Sequence, residues 1–156
     1  MRIIEVFNFV TDSEAEVLDQ AGVQTTEDHQ IRVCPDDNEA LVAVGERVVS
    51  LIQKEFGDSV YLLDNQIVTY TGTGEYVYHM DPPEDGSFPR DYTGLIYLND
   101  DFDDGGTHFR DQDVTVVPAK GKIALWANVE GSIHKGMPVS NGTKKVINFW
   151  MARSQT

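Results

Sequence analysis

From Gly57 onward the chain breaks into short β-prone runs, at 59–63, 66–71, 75–80, 93–98, 107–110, 113–117, 122–127, 132–134 and 145–151, separated by Gly, Pro, Asn and Asp clusters. Punctuation at that frequency leaves no room for a long helix. Many short strands that must each bury a face imply a sandwich or a barrel. Ahead of this region one stretch, roughly 38–56, reads as a long helix. Leu41, Val44, Val48 and Leu51, with Ile52, recur at helical spacing, and the stripe predicts packing against a sheet. Asp36-Asp37-Asn38 opens this helix and Gly57 ends it. Residues 2–10 alternate enough for a strand, and Thr11 or Ser13 is placed to cap a short helix through residue 20. The stretch 24–37 is polar and turn-rich, with His29 as a surface residue. The expected organisation is a single domain, 1–156, with helical support over about 1–58 and a β core over about 59–153.

The chain has 156 residues, enough to bury a core without disulfides or structural metals. Its 26 Asp+Glu against 12 Lys+Arg give a net charge of −14. A field of that sign repels phosphate backbones, so nucleic acid is not an expected partner, while a basic peptide or protein is favoured. Cys34 is the sole cysteine, which excludes an intrachain disulfide and suits a reducing compartment. The opening MRIIEVFNFV is too short and too polar for a signal peptide, and no later run approaches a membrane span. The expectation is a soluble cytoplasmic protein with no membrane partner, a monomer or weak homodimer.

Chemistry concentrates in two places. His79 and Asp81 stand as H-M-D in EYVYHMD, and His134 stands in GSIHKGMPV. In an extended strand residues i and i+2 share a face, so one strand is able to present an imidazole and a carboxylate to one ion. Two imidazoles and one carboxylate on one side of an octahedral ion leave positions open for co-substrate and dioxygen, whereas a structural zinc site closes all four of its positions. H-x-D with a distant histidine also arises by chance. Spacing alone therefore leaves open two strand histidines beside a solvated aspartate.

The surrounding pattern goes further. From Gln66 to Trp150 the chain resembles the catalytic domain of the prolyl 4-hydroxylases, within the 2-oxoglutarate- and iron(II)-dependent oxygenases. The resemblance rests on Gln66 and Tyr70, Gly74 and Tyr76, then the H-x-D, then Arg90, Thr93 and Tyr97 in RDYTGLIYLND, and Thr107 and Phe109 in GGTHF. It continues through Pro118, Lys120, Gly121, Trp126 and Asn128, and closes with His134, Gly136, Pro138, Val139, Gly142, Lys144 and Trp150.

The resemblance implies a mainly β (α+β) fold: a double-stranded β-helix, or jelly roll, whose N-terminal helices buttress one sheet. It implies iron(II) on His79, Asp81 and His134, with 2-oxoglutarate as co-substrate and ascorbate as a further cofactor candidate. Lys144 stands where the family places the cation for the far carboxylate of 2-oxoglutarate, and alternation puts its rival Lys145 on the opposite face. Tyr97 matches a tyrosine that shares this carboxylate, and Tyr70 matches an aromatic lining the pocket. Arg90, Tyr76 and Trp150 are the candidate substrate contacts.

The reaction implied is hydroxylation of a C–H bond, with decarboxylation of 2-oxoglutarate to succinate, on a proline in a peptide or protein. Retention of Asp81 argues against a halogenase. The segment 81–92, DPPEDGSFPRDY, is expected to leave the site as a loop that folds over substrate. Three features depart from the family: Gly106 replaces an acidic residue, Lys145 stands where an aromatic often follows, and VEGSI makes a short connection to His134. They border the pocket mouth and bear on substrate rather than chemistry; His108 is not expected to be a ligand. The alternatives are a hydroxylase of a free amino acid or another side chain, a non-catalytic metal-binding jelly-roll module, and a cupin-like enzyme working without 2-oxoglutarate.

Overall fold

A computed structural model describes residues 1–72, 77–81 and 90–154. β1 (Ile3–Val6), α1 (Asp12–Ala21), β2 (Ile31–Arg32) and α2 (Glu39–Phe56) come first. β3 (Val60–Tyr70), β4 (Tyr92–Tyr97), β5 (Asp103–Asp104), β6 (Thr107–Phe109) and β7 (Val114–Val116) follow, then β8 (Ile123–Ala127), β9 (His134–Gly136), β10 (Val139–Asn141) and β11 (Lys144–Arg153). They form an antiparallel six-stranded sheet in the order β1-β8-β4-β11-β3-β2, a three-stranded sheet β7-β6-β9 and a β10-β5 pair. The architecture is a jelly roll, with the two helices on the outer face of the larger sheet.

Local chemistry explains both helices. Thr11 Oγ1 accepts from the Glu14 backbone N–H at 3.1 Å while Glu14 Oε1 accepts from the Thr11 N–H at 2.9 Å, a reciprocal cap worth about 1 kcal/mol. In α2, Asn38 Oδ1 accepts from Leu41 N–H at 3.1 Å, and Gly57 closes the helix at φ 74°, where a side chain would be strained. The stripe Leu41, Val44, Val48 and Ile52 is buried against Ile67, Ile96, Ile147 and Phe149 of the sheet, each such side chain contributing roughly 1.5–3 kcal/mol.

Alternation along β11 sorts its residues between two cores. Ile147, Phe149 and Met151 join the layer beneath the helices, while Val146 joins Leu95, Tyr97, Phe109, Val116 and Trp126 between the sheets. Lys144, Asn148 and Trp150 share the register of Val146 and therefore face the barrel interior. A charged substitution at Val146 would place an unpaired group in that inner layer.

Several element boundaries differ from those the sequence predicts. The runs 59–63 and 66–71 are one strand, because β3 pairs with β11 straight through Asp64 and Asn65. Asn65 is buried: its Oδ1 accepts from Cys34 N–H at 2.9 Å and its Nδ2 donates to Cys34 O at 3.0 Å. The run 2–10 shortens to β1. The turn-rich 24–37 contains β2, and β5 and β10 were not anticipated. His29 is exposed, with its Nδ1 3.0 Å from Gln24 Oε1. Of the strand expected at 75–80, residues 77–80 are described and only His79 makes a bridge, with His134. Gly74, Tyr76 and the interior of the 81–92 loop lie outside the described residues. Among the described residues, no helix is long and apolar enough to cross a membrane.

Candidate active site

His134 opens β9, and its backbone exchanges two hydrogen bonds of 2.9 Å with His79, which aligns the two imidazoles on the inner face at a ring separation of 4.4 Å. Asp81 follows two residues later in a bend, not on a continuing strand, yet its carboxylate reaches both rings. Oδ1 lies 3.8 Å from His79 Nε2, and Oδ2 lies 3.8 Å from His134 Nε2. Those distances are too long for hydrogen bonds. One ligand atom from each of the three residues falls within 4.8 Å of the others.

The proton positions follow from the partners. His134 Nδ1 lies 2.8 Å from Ser132 O, and His79 Nδ1 lies 3.0 Å from Val77 O. A carbonyl only accepts, so each Nδ1 carries a proton, and in the neutral ring each Nε2 then offers a lone pair toward Asp81. Burial among Phe109 and Trp126 pushes the His134 imidazole below its ordinary pKa, against the opposing pull of the Ser132 carbonyl, and so favours the neutral ligand form. Two neutral nitrogens and a carboxylate oxygen converging without hydrogen bonds between them fit a divalent cation of the mixed N/O class.

Asp81 is itself held in place. Its Oδ2 accepts from Thr93 Oγ1 at 3.2 Å and from Trp150 Nε1 at 3.3 Å. Thr93 Oγ1 accepts in turn from Asn128 Nδ2 at 2.9 Å, and Asn128 Oδ1 accepts from Trp126 Nε1 at 3.1 Å. Partners of this kind orient a ligand carboxylate. Arg90 stacks 3.9 Å above the Trp150 ring and pairs with Asp64 at 3.0 Å. Its fork is thus engaged on the sheet, beside the cavity that it and Trp150 line.

That cavity, of about 940 Å³, extends from the His/Asp cluster to Lys144, past Val68, Leu95 and Asn148. Lys144 is 1% exposed, with its Nζ 4.6 Å from the Tyr70 ring centroid and 5.9 Å from that of Tyr97. Among the described residues no carboxylate pairs with it, and burial alone lowers its pKa to about 8. A buried ammonium without a counter-ion is costly, so this end of the cavity favours an anionic group. Lys145 points the other way and pairs with Asp19 of α1 at 3.0 Å. The Tyr97 hydroxyl lies 2.8 Å from Thr107 Oγ1, and burial keeps it protonated by raising its pKa.

The structure thus gathers His79, Asp81, His134, Lys144, Tyr70, Arg90 and Trp150 around one cavity, with Tyr97 behind it beside Lys144 and Thr107. Thr107, Arg110 and Asn148 also line it and carry no role in the sequence reading. The spacing of Asn148 from Lys144, four residues on one strand, was the available signal for its facing inward. Gly106 has a steric cause: a Cβ there would lie 2.6 Å from Val116 O, so the acidic residue common in related chains has no space.

Residues 65–152 match the 2OG-Fe(II) oxygenase superfamily. A protein named "Putative prolyl 4-hydroxylase" from Acanthamoeba polyphaga mimivirus is 33% identical over 105 residues, which cover 56% of this chain and 43% of that protein. The chain thus matches less than half the length of this relative. Among solved structures, a truncated viral collagen prolyl hydroxylase from Paramecium Bursaria Chlorella virus-1 superposes with a TM-score of 0.82 at 21% identity, over 99% of this chain and 91% of that one. A prolyl hydroxylase in complex with a hypoxia inducible factor oxygen degradation domain peptide fragment, from Trichoplax adhaerens, superposes at 0.71 with 17% identity, over 96% and 82%.

Proposed function

Because this chain belongs to the 2OG-Fe(II) oxygenase superfamily, we propose that it is a dioxygenase that hydroxylates a proline in a peptide or protein. The observation that carries the reading is a single cavity with His79, Asp81 and His134 at one place and at another the buried Lys144, which pairs with no carboxylate among the described residues. His79, Asp81 and His134 would hold iron(II), and Lys144 would pair with the far carboxylate of 2-oxoglutarate. Iron(II) there supplies dioxygen activation coupled to decarboxylation of 2-oxoglutarate to succinate.

The chain's own residues do the rest. Tyr70 and Tyr97 flank the Lys144 ammonium with ring faces, which hold a cation until a carboxylate arrives. Tyr97 keeps a protonated hydroxyl against Thr107, which itself lines the cavity. Val68 and Leu95 line the wall between lysine and metal ligands and exclude water from the reacting centre. Thr93 and Trp150 fix the Asp81 carboxylate so that the open side of the cluster faces the cavity.

Proline as target is supported by the name of the mimivirus relative, and a peptide substrate by the peptide complex of the Trichoplax structure. Its fixed φ and missing N–H make proline a compact, preorganised guest for such a cavity. The test supplies iron(II), 2-oxoglutarate and proline-containing peptides, and measures succinate together with a peptide mass gain of one oxygen atom. Both are expected. Succinate with no oxidised peptide would redirect the search to a free amino acid or another side chain. Absence of succinate with every substrate would overturn the enzyme reading.

A further inference from the structure

We propose that Tyr78, His108 and Asp113 form a clasp on the outer face of the small sheet that positions His79 as a metal ligand. The inference rests on the metal-centre reading above and concerns side chains that the mechanism does not use.

The register defines two faces. His79 lies opposite His134, which lies opposite Phe109, and all three face inward, where the His134 ring meets those of His79 and Phe109. Alternation turns the next row away from the His/Asp cluster: Tyr78, part of which still lines the cavity, Lys135, and His108, which pairs with Lys135 on β9 and Thr115 on β7. In that row the Tyr78 hydroxyl lies 2.8 Å from His108 Nδ1, and His108 Nε2 lies 3.0 Å from Asp113 Oδ1. Lys135 Nζ sits 4.3 Å over the Tyr78 ring, and the Tyr78 and His108 rings are 5.9 Å apart.

The chemistry of these contacts gives the chain a direction. The Asp113 carboxylate only accepts, so a neutral His108 donates from Nε2 and presents a lone pair at Nδ1. The Tyr78 O–H donates to that lone pair. The Asp113 carboxylate is exposed, so the firmer link is the one from the mostly buried His108 side chain to the Tyr78 hydroxyl beside His79.

His79 needs such an anchor more than its partner ligand does. His134 is walled by Phe109 and Trp126, with ring centroids 5.5 and 4.8 Å away. The His79 side chain is 49% exposed, and its Nδ1 contact goes to Val77 on its own segment, which sets the ring against that segment rather than against the barrel. Two backbone hydrogen bonds to His134 and the side chain of Tyr78 tie this stretch to the small sheet.

The test titrates the 156-residue chain with Co(II) alone and compares wild type, Tyr78→Phe, His108→Ala and the double variant. Tyr78→Phe keeps the ring under Lys135 and removes only the hydroxyl. Each single variant is expected to weaken Co(II) binding about 3- to 10-fold, the effect of one lost hydrogen bond. The double variant should bind no more weakly than His108→Ala, since both changes break the same link. The metal-free melting temperature should hold, and the Co(II) d–d bands at saturation should shift as the His79 ligand loosens. Unchanged affinity in both single variants would overturn the clasp, as would additive losses or a loss of affinity matched by a fall in metal-free stability. Failure of the wild type to bind Co(II) would instead remove the metal centre itself, and the clasp with it.

Discussion

The indole N–H of Trp150 donates to Asp81 Oδ2 at 3.3 Å, so β11 holds a carboxylate that lies 69 residues earlier in the chain. The same ring carries the Arg90 guanidinium on its face at 3.9 Å. Trp150 is therefore buried between a cation and a candidate ligand, and its two contacts are separable by mutation. Trp150→Phe keeps a ring for Arg90 and removes the donor to Asp81. Iron(II) affinity, titrated anaerobically, is expected to fall about 10-fold, the lower end of what losing a ligand's orienting partner costs. Equal affinity in the variant would show that Thr93 alone orients the carboxylate.

The three candidate ligands should separate by stability although not by activity. His79→Ala, Asp81→Ala and His134→Ala are each expected to abolish succinate formation. His79 is half-exposed, so its alanine variant should unfold within about 0.5 kcal/mol of wild type. His134 is 5% exposed and ringed by aromatic side chains, and its truncation should cost about 2 kcal/mol or more through the cavity left behind. Denaturant unfolding of the metal-free variants measures both. Near-normal turnover in any of the three would remove that residue from the ligand set.

Much of this was legible in the sequence, for reasons that can be named. The α2 stripe is visible because Leu41, Val44, Val48 and Ile52 repeat at the helical period and Asn38 and Gly57 mark its ends. Strand alternation sets Lys144 and Lys145 on opposite faces and the family resemblance turns Lys144 inward, which agrees with Val146 two residues on in the inner core. What was hidden depends on partners distant in sequence. Asn65 reads as a turn residue, yet it satisfies the backbone of Cys34 in the middle of a strand. β2 and β10 exist through pairing with β3 and β5, not through any run of β-formers. The pairing of Arg90 with Asp64 and Trp150 likewise depends on residues far along the chain, and leaves Arg90 lining the cavity.

Lys144 gives a prediction with a definite sign in pH. Its pKa falls from an ordinary 10.5 to about 8 on folding, so the folded, ligand-free chain disfavours the charged form. The penalty is complete below pH 8 and is relieved as pH rises from 8 to 10.5, a window in which the unfolded chain binds more protons. Ligand-free stability should therefore gain up to about 3 kcal/mol across that window from this group. Lys144→Met should be more stable than wild type at pH 7 and lack this gain. In turnover the order reverses: Lys144→Ala should raise the KM for 2-oxoglutarate by at least about tenfold, and Lys145→Ala should leave it unchanged. A reversed pair of results would mean that Lys145, not Lys144, faces the co-substrate.

The final prediction separates the charge of the whole molecule from that of its cavity. The chain carries −14, a field that would attract a basic peptide at long range. Close to the site the described lining includes Arg90, Arg110 and Lys144, with Asp81 as its carboxylate, so attraction should fade once the peptide docks. Long-range steering acts on encounter and is screened by salt, whereas contacts inside the cavity are not. For a lysine-flanked proline peptide, kcat/KM should fall as salt rises from about 0.01 to 0.15 M, where the screening length shrinks from roughly 30 to 8 Å, while kcat stays level. A neutral proline peptide should show neither dependence. If both peptides turn over equally at every salt concentration, the acidic surface serves solubility, and selection of substrate rests with the cavity alone.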